Sequence, residues 1–338
     1  MVIFALISHN LCERFSAYYQ RRFLPHGAPL LLDPDRNVID LLGSKEGIFF
    51  SLLSCLKAGE AVLMPDPSYT VYQSSARIIG ARVELFPCNQ EGQREFTSIR
   101  PEQLKDARVL VICSPGNPTG IELSSDKLNE AMAFAERHDL WVIIDRAYAE
   151  IVLTPPTDDV LSGAALPLAG AMQRVIELHS LIKSCSIAGW RIGFAVGAEE
   201  LIKRIRNTKF STDFGAFLPL KCVAAEILNE LESVAAAKCA IYANRMHRFI
   251  NGAASLGWSI PLSHGTFFLW APLPWDFAEG DDLKFVEDLL DNTGILVAPG
   301  SGFGSGGESR VRIALVQPDN VLDEALFRLS EWSYSRKS

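Results

Sequence analysis

The sequence predicts a mostly parallel β-sheet with helices on both faces, joined to a smaller α+β domain. Up to about Leu201, short apolar runs rich in β-branched residues alternate with amphipathic stretches of helical spacing. Runs that are apolar throughout are typical of strands buried on both faces of a sheet. The chain has 338 residues, of which 48% are hydrophobic and 21% charged, so it can bury a large core without disulfides or metals.

Strands and helices are predicted to alternate through this part of the chain, as they do in parallel sheets with crossover helices. The small-residue turn Gly43–Gly47 joins a strand-like run to the first of these helices. Helical spacing predicts helices at Glu46–Leu56, Thr70–Ile79 and Ser125–His138. Apolar runs predict strands at Ala61–Met64, Ala81–Phe86, Val109–Cys113, Trp141–Ile144, Val175–Leu178 and Ile192–Val196.

The pattern changes after Leu201, where a long helical region spans roughly Pro219–Leu256 and joins the two predicted domains. Shorter strand-like and helical segments follow it to the end of the chain. An amphipathic helix at about Leu11–Arg22 is expected to pack on the small domain or on a partner subunit. The predicted units are an N-terminal segment at residues 1–35, a large α/β domain at residues 36–235 and a small α+β domain at residues 236–338.

Charge and composition argue against several classes of function. Lys and Arg number 32 and Asp and Glu number 40, so the formal net charge is −8 and the isoelectric point is about 5.4. A nucleic-acid backbone requires a dense cationic face, so we expect no nucleic-acid partner. No apolar run approaches the roughly 18 residues that a membrane span needs. Residues 1–7 lack the basic start and cleavage site of a signal peptide, which predicts a soluble, cytoplasmic protein without a membrane partner.

Two further patterns argue against a metal or nucleotide site. The seven cysteines are odd in number and contain no CxxC pair, so neither a disulfide framework nor a metal site is predicted. Gly302–Gly307 fits the pattern GxGxxG, but a dinucleotide turn must follow a strand and open a helix. A strand-like run, Arg310–Leu315, follows instead, so a flexible loop is predicted there.

Four segments combine residues that could carry chemistry. Three of them follow a predicted strand, and ligands of open α/β sheets collect at the carboxyl ends of strands. The segments are SPGNPTG at 114–120, DRAYAE at 145–150, SLIKSCSIAGWRIGF at 180–194 and RVRIALV at 310–316.

Asp145 and Lys183 are the strongest candidates for catalysis. Asp145 follows the buried run Trp141–Ile144, where a carboxylate is costly unless a cation or hydrogen-bond donors meet it. Tyr148 lies three residues further on and could point into the same cleft. Lys183 has little acid near it in the sequence, and desolvation lowers a lysine pKa, which makes the amine a nucleophile for a carbonyl.

An anion site is predicted beside Lys183. Ser180 and Arg191, a hydroxyl and a fixed cation, together suit a phosphate. The turn at residues 43–47 offers backbone N–H groups at a helix N-terminus. A lysine, a phosphate cradle and a buried carboxylate are what pyridoxal 5'-phosphate (PLP) requires. Lysine bonds to its aldehyde, and the carboxylate keeps the ring nitrogen protonated so that the ring accepts a carbanion's electrons.

Six segments, taken together and in this order, resemble the fold-type I, class I/II PLP-dependent aminotransferases. Among these the chain looks most like the group of LL-diaminopimelate and N-succinyldiaminopimelate aminotransferases. The resemblance covers nearly the whole chain from about Tyr19 and implies fold type I. It also implies a homodimer with shared active sites and amino-acid and 2-oxo-acid substrates, with glutamate and 2-oxoglutarate as the expected common pair. The segments are GSKEGI at 43–48, DPSYTVY at 66–72, SPGNPTG at 114–120, DRAYAEI at 145–151, AGWRIGFAVG at 188–197 and RVRIALV at 310–316.

The resemblance implies roles for the residues around the cofactor ring. Lys183 would be the Schiff-base lysine and the proton shuttle at the substrate Cα, and Asp145 would pair with the pyridinium nitrogen. Tyr148 and Asn117 would hydrogen-bond the ring hydroxyl, and Asn117 would also contact the substrate. Tyr69 would stack on the ring face.

The resemblance also implies which residues hold the two anionic groups. Ser44, Lys45, Ser180 and Arg191 would hold the cofactor phosphate, the first two partly through backbone N–H groups. Arg312 would clamp the substrate α-carboxylate by a bidentate pair.

The sequence departs from the family at its N-terminus, and two other functions stay open. Residues 1–11 contain neither the glycine turn over the substrate nor the tyrosine for the partner's phosphate that family members carry. A PLP-binding protein with weakened or no catalysis is therefore one alternative. A PLP-dependent β-C–S lyase is the other, although such relatives commonly show Asp-Glu-Ile-His where this chain has Asp145-Arg146-Ala147-Tyr148. The motifs leave the substrate open and point to the diaminopimelate branch of lysine synthesis.

Overall fold

A seven-stranded sheet forms the centre of the part that the computed structural model describes, namely residues 2–24, 30–88, 94–153, 164–213, 215–274, 277 and 280–335. The strands are β1 (Val38–Leu41), β2 (Ala61–Asp66), β3 (Arg82–Pro87), β4 (Ala107–Cys113), β5 (Trp141–Arg146), β6 (Val175–Ser180), β7 (Gly193–Gly197), β8 (Phe268–Pro272), β9 (Ala298–Pro299) and β10 (Arg310–Ala314). The helices are α1 (Val2–Phe23), α2 (Ser44–Cys55), α3 (Thr70–Ile79), α4 (Pro101–Leu104), α5 (Ser125–Arg137), α6 (Ala171–Arg174), α7 (Leu181–Ser184), α8 (Glu199–Phe210), α9 (Leu218–Ser255), α10 (Asp282–Thr293) and α11 (Asp319–Ser335).

The large sheet has the strand order β1-β7-β6-β5-β4-β2-β3, and the predicted mostly parallel arrangement is confirmed. Strands β6, β5, β4, β2 and β3 run parallel to one another. Strand β7, predicted from the run Ile192–Val196, runs antiparallel to both of its neighbours. A parallel crossover usually needs a full helix. Residues 181–192 hold only the single-turn helix α7 and a 3-10 turn, so the chain returns beside β6 in the opposite direction.

Helices cover both faces of this sheet, as the sequence predicts. On one face, α2, α3 and α8 bury Leu52, Ala76 and Ile205 against the strands. On the other face, α1, α5 and the first half of α9 contribute a second apolar layer that includes Phe15 and Leu128. Because helices cover both faces of the sheet, a ligand can reach its polar groups only at the ends of the strands.

Helix α1 packs on the large sheet and on α9, while its expected contact with a partner subunit stays a prediction. Its Phe15 stacks on Phe194 of β7 with the ring centroids 4.0 Å apart. The Tyr19 hydroxyl donates a hydrogen bond to the Glu177 carboxylate of β6 at 2.9 Å. The amphipathic spacing shows that this helix has an apolar face, but it does not say which surface that face covers.

A second sheet of three antiparallel strands, in the order β8-β10-β9, forms in the described C-terminal residues. The end of α9 packs with α10 and α11 around an apolar core that includes Trp258, Phe285 and Leu329. Helix α9 runs without a break between the two sheets, while the domain boundaries at residues 35 and 235 stay predictions. Within the described residues, none of the helices combines the length and the hydrophobicity needed to cross a membrane.

A fully buried ion pair lies between the large sheet and α1. The Glu177 carboxylate oxygen Oε2 lies 3.6 Å from Arg146 Nε, and both side chains have 0% exposure. Glu177 also accepts a hydrogen bond of 2.6 Å from the Ala165 backbone N–H and lies 3.1 Å from His179 Nε2. Burial acts to raise the pKa of Glu177, but Arg146 and His179 outweigh it, so the pKa lies below its ordinary value.

The Glu177→Gln variant should lower the free energy of unfolding by about 3 kcal/mol at neutral pH, because it leaves the buried Arg146 charge without its counter-ion. A depressed carboxyl pKa stabilises the folded state above the unfolded-state pKa of about 4.3, and the stabilisation is lost as pH falls below it. In urea unfolding, the difference in free energy of unfolding between Glu177→Gln and the wild type should therefore be smaller at pH 4 than at pH 7. Glu200→Gln, which breaks an exposed pair with Arg204, is the control and should change stability little. Equal effects of the two variants would contradict the prediction.

Candidate active site

The carboxyl ends of four neighbouring parallel strands meet at one edge of the large sheet. Strands β2, β4, β5 and β6 end there at Asp66, Cys113, Arg146 and Ser180. The antiparallel β7 begins at the same edge, where Gly193 pairs with Ser180. Ligands of open α/β sheets bind at this edge. The segments that follow these strands contain most of the site residues predicted from the sequence.

Asp145 lies near the end of β5 with only 3% of its surface exposed. Its Oδ2 accepts a hydrogen bond of 2.8 Å from the Tyr72 hydroxyl, and its Oδ1 accepts one of 3.0 Å from the Ala147 backbone N–H. Burial raises the pKa of Asp145, while the two donors and the charge of Lys183 act in the opposite direction. A cationic partner is therefore what this carboxylate needs to stay ionised.

Lys183 lies on α7, directly after β6, and its side chain is half-buried. Its Nζ lies 5.8 Å from the ring centroids of both Tyr148 and Phe267. Burial lowers the pKa of Lys183, Arg191 lowers it further, and Asp145 partly offsets them. The lysine and the acid thus face one cleft, and the amine loses its proton more readily than an exposed lysine.

The turn before α2 meets the start of β7. Gly43 has φ +84°, and a Cβ there would lie 2.8 Å from Arg191 Nη2. A Cβ on Gly193 would lie 2.9 Å from the Ser44 backbone nitrogen. Arg191 donates a hydrogen bond of 3.1 Å to the Leu42 carbonyl. The two glycines let the turn before α2 pack closely against the start of β7, which brings the backbone N–H groups at the N-terminus of α2 beside the Arg191 guanidinium. A corner that combines these donors suits a phosphate.

The other two predicted phosphate residues differ in burial. Ser180 is buried and caps α7, since its Oγ accepts a hydrogen bond of 3.3 Å from the Ile182 backbone N–H. Its hydroxyl proton is therefore available to an anion. Lys45 is exposed in the first turn of α2, and Arg191 is exposed as well. Although it is exposed, Arg191 places its guanidinium at this corner through its bond to the Leu42 carbonyl.

Arg312 reaches the site from the small sheet. Its Nη1 donates a hydrogen bond of 2.8 Å to Asn117 Oδ1, across 195 positions of sequence. Its guanidinium lies over two aromatic rings, 4.2 Å from the centroid of Phe268 and 4.7 Å from that of Phe303. Burial lowers the pKa of Arg312. A planar cation held on three sides is pre-oriented for a carboxylate.

Two tyrosines line the cleft between these groups. Tyr69 is half-buried before the first turn of α3, and its ring lies perpendicular to that of Tyr72, 5.7 Å away. Tyr148 is buried, with its ring 5.5 Å from that of Phe267. Burial raises the pKa of both Tyr69 and Tyr148, and the nearby Asp145 adds to this. Both hydroxyls therefore keep their protons and are available as donors.

The glycine-rich segment at residues 300–307 forms two 3-10 turns and docks on the end of β2. Ser305 Oγ donates a hydrogen bond of 2.7 Å to Asp66 Oδ2, and the Ser68 backbone N–H donates one of 2.9 Å to the Phe303 carbonyl. A Cβ on Gly304 would overlap Asp66 Oδ1. This segment thus joins the small sheet to the large one and places the Phe303 ring against Arg312.

Sequence reasoning missed Tyr72 and the aromatic residues Phe267, Phe268 and Phe303. Tyr72 lies three residues after Tyr69, so the spacing alone indicated that both face the same side of a helix. The phenylalanines carried no comparable signal, because aromatic residues in apolar runs are most often core residues.

The residues at this edge fit PLP. A basic ring nitrogen suits the buried acid Asp145, an aldehyde suits the partly desolvated amine of Lys183, and a phosphate suits the corner between Gly43 and Gly193. These three features lie along one continuous edge of the sheet.

Sequence comparison connects this arrangement to known enzymes. The family described as aminotransferase class I and II matches residues 7–329. The LL-diaminopimelate aminotransferase of Dehalococcoides mccartyi is 34% identical over 324 residues, which cover 95% of this chain and 80% of that protein. The LL-diaminopimelate aminotransferase of Gloeobacter violaceus is 33% identical over 319 residues, which cover 94% and 79% of the two chains.

Solved structures give the same result. A probable N-succinyldiaminopimelate aminotransferase from Thermus thermophilus superposes with a TM-score of 0.88 at 32% identity, over 96% of this chain and 84% of that one. Substrate-bound BacF from Bacillus subtilis superposes with a TM-score of 0.89 at 28% identity, over 96% of this chain and 80% of that one. The fold type I arrangement predicted from the motifs is confirmed.

Proposed function

Because the chain belongs to the class I and II aminotransferases and is therefore an enzyme of a PLP-dependent family, we propose that it binds PLP and acts on substrates of the diaminopimelate branch of lysine synthesis. Glutamate and 2-oxoglutarate are the proposed common pair of amino donor and 2-oxo acid. The observation that supports the proposal is that the buried Asp145 carboxylate and the half-buried Lys183 amine lie within electrostatic range of each other at the carboxyl ends of β5 and β6, with Arg312 also in range of Lys183.

Bound PLP supplies a carbonyl for the substrate amine and a ring that takes up an electron pair from the substrate Cα. Lys183 Nζ is the proposed covalent anchor and the group that moves the proton at the substrate Cα. Its lowered pKa supports this role, since an amine accepts a proton only in its neutral form. Asp145 is the proposed partner that holds a proton on the ring nitrogen, and Tyr148 and Asn117 are the proposed donors to the ring hydroxyl.

The remaining residues are proposed to orient the two ligands. Tyr69 would cover the ring face. Arg312, steadied by Asn117, would bind the substrate α-carboxylate and so direct the Cα proton towards Lys183. Ser44, Lys45, Ser180 and Arg191 would hold the phosphate.

The half-reaction with an amino donor tests this proposal. The purified protein, loaded with PLP, is mixed with L-glutamate, LL-diaminopimelate, L-alanine or cystathionine in turn, and the absorbance of the bound cofactor is followed. We expect glutamate and LL-diaminopimelate to convert the cofactor to its amine form, and 2-oxoglutarate to reverse the change. Release of pyruvate and ammonia from cystathionine would favour a lyase. Binding of PLP without conversion by any donor would favour a non-catalytic protein.

A homodimer with shared active sites is part of the proposal. Trp190, beside the phosphate residue Arg191, is 38% exposed, and Phe210 and Phe217 are 80% and 70% exposed. These side chains are candidates for a contact with another chain, and the dimer itself is proposed from the family. Analytical ultracentrifugation should give a molecular mass twice the chain mass of 37.2 kDa. A molecular mass equal to that of one chain would contradict a stable dimer. A cytoplasmic location stays a prediction from the sequence.

A further inference from the structure

Tyr72 holds the Asp145 carboxylate from the side of α3. The tyrosine is 0% exposed, and its hydroxyl lies 2.8 Å from Asp145 Oδ2. The Ala147 backbone N–H binds the other oxygen, so each carboxylate oxygen receives one donor from the protein. A carboxylate offers about four acceptor positions, so each oxygen keeps room for a further donor.

The titratable groups around Tyr72 and Asp145 determine which of these two side chains donates the hydrogen bond. Cys113 of β4 faces Tyr72 and Asp145, and burial raises the pKa of its thiol to about 12, so it stays neutral. Burial and the Asp145 charge raise the pKa of Tyr72 well above its ordinary value. The phenol therefore keeps its proton and donates a hydrogen bond to Asp145. Lys183 of α7 and Tyr69 also lie within electrostatic range of the acid.

A hydrogen bond to the ionised form of an acid lowers its affinity for a proton. Asp145 shares a proton with the cofactor's ring nitrogen under the proposed function, so the strength of the Tyr72 bond influences which partner keeps it. With Tyr72 as a donor, the carboxylate is the weaker base and the proton stays on the ring. Without Tyr72, the buried carboxylate becomes the stronger base and the ring loses positive charge.

We propose that Tyr72 is a positioning residue that acts through Asp145, fixing the orientation of its carboxylate and keeping the ring nitrogen protonated. This inference rests on the proposed function. A protonated ring withdraws electrons and lowers the proton affinity of the nitrogen that links Lys183 to the cofactor. Tyr72 is therefore expected to influence the pH midpoint of the bound cofactor's visible absorbance as well as the rate of the half-reaction.

The Tyr72→Phe variant tests the inference in the PLP-loaded protein. We expect the pH midpoint of the bound cofactor's visible absorbance to rise by about one pH unit and the rate of the glutamate half-reaction to fall about tenfold, as for loss of a hydrogen bond to a charged group. Tyr19→Phe is the matched control, because Tyr19 is also 0% exposed and donates to a buried carboxylate, Glu177, at 2.9 Å. Its midpoint should equal that of the wild type.

The Tyr72→His variant keeps an N–H donor at the position and should not raise the midpoint. An unchanged midpoint in Tyr72→Phe, or an equal rise in Tyr19→Phe, would overturn the inference. So would failure of both Tyr72 variants to fold while Tyr19→Phe folds, because the hydroxyl would then serve folding. A wild-type protein that gives no cofactor absorbance at all would instead overturn the proposed function.

Discussion

The Lys183→Ala variant should lose amino transfer by at least about 10³-fold while it still binds PLP non-covalently. Its side chain is the proposed covalent anchor and proton carrier, and general acid–base catalysis alone contributes about 10²–10⁴-fold. The tyrosines, Asp145 and Arg312 around the cleft lie on other elements and remain in place. Single-turnover absorbance with L-glutamate would measure the loss, and borohydride reduction followed by mass spectrometry would show that the covalent bond to the protein is gone.

Lys203→Ala is the matched control, because Lys203 is exposed on α8 and takes no part in the cleft. It should transfer amino groups at the wild-type rate and keep the reducible bond to the cofactor. If Lys183→Ala retained turnover, or if borohydride still fixed the cofactor to the variant, the assignment of Lys183 would be wrong.

The Asp145→Asn variant should reduce the rate of the glutamate half-reaction by about 10²–10³-fold, the size typical for loss of a pre-organised charge. Asparagine keeps the shape of the side chain. Its single oxygen can accept the Ala147 backbone N–H, and its NH2 group can donate to the Tyr72 hydroxyl oxygen, which reverses that hydrogen bond. It removes the negative charge that would hold a proton on the ring nitrogen. The same protein should also bind PLP more weakly, which titration of the cofactor absorbance would measure.

The cofactor-free form of Asp145→Asn should be no less stable than the cofactor-free wild type. Burial raises the pKa of Asp145 in the folded state, and such an acid favours folding only at pH values below its unfolded-state pKa. At neutral pH the charge therefore opposes folding, and its removal relieves that cost. A melting temperature well below that of the wild type would indicate a structural role instead. Asp126→Asn, in the exposed first turn of α5, is the control for both rate and stability.

The local patterns of the sequence determined most of the fold. Buried strands and amphipathic helices differ in their spacing of apolar residues, so β2 to β7 and helices such as α3 and α5 were predicted close to their observed bounds. The order of the six motifs was enough to indicate the family. Most of the predicted site residues lie at or after the carboxyl ends of strands, and the parallel sheet brings those strand ends to one edge, while Arg312 comes from the small sheet.

Tertiary structure alone decided what joins distant parts of the chain. The antiparallel direction of β7, the docking of α1 on the large sheet and the contact of Arg312 with Asn117 all depend on partners far apart in sequence. Spacing along a chain indicates which side of an element is apolar or polar, but not which surface that side meets. The bond between Tyr72 and Asp145 joins residues 73 positions apart, so its strength and direction follow from burial in the folded protein.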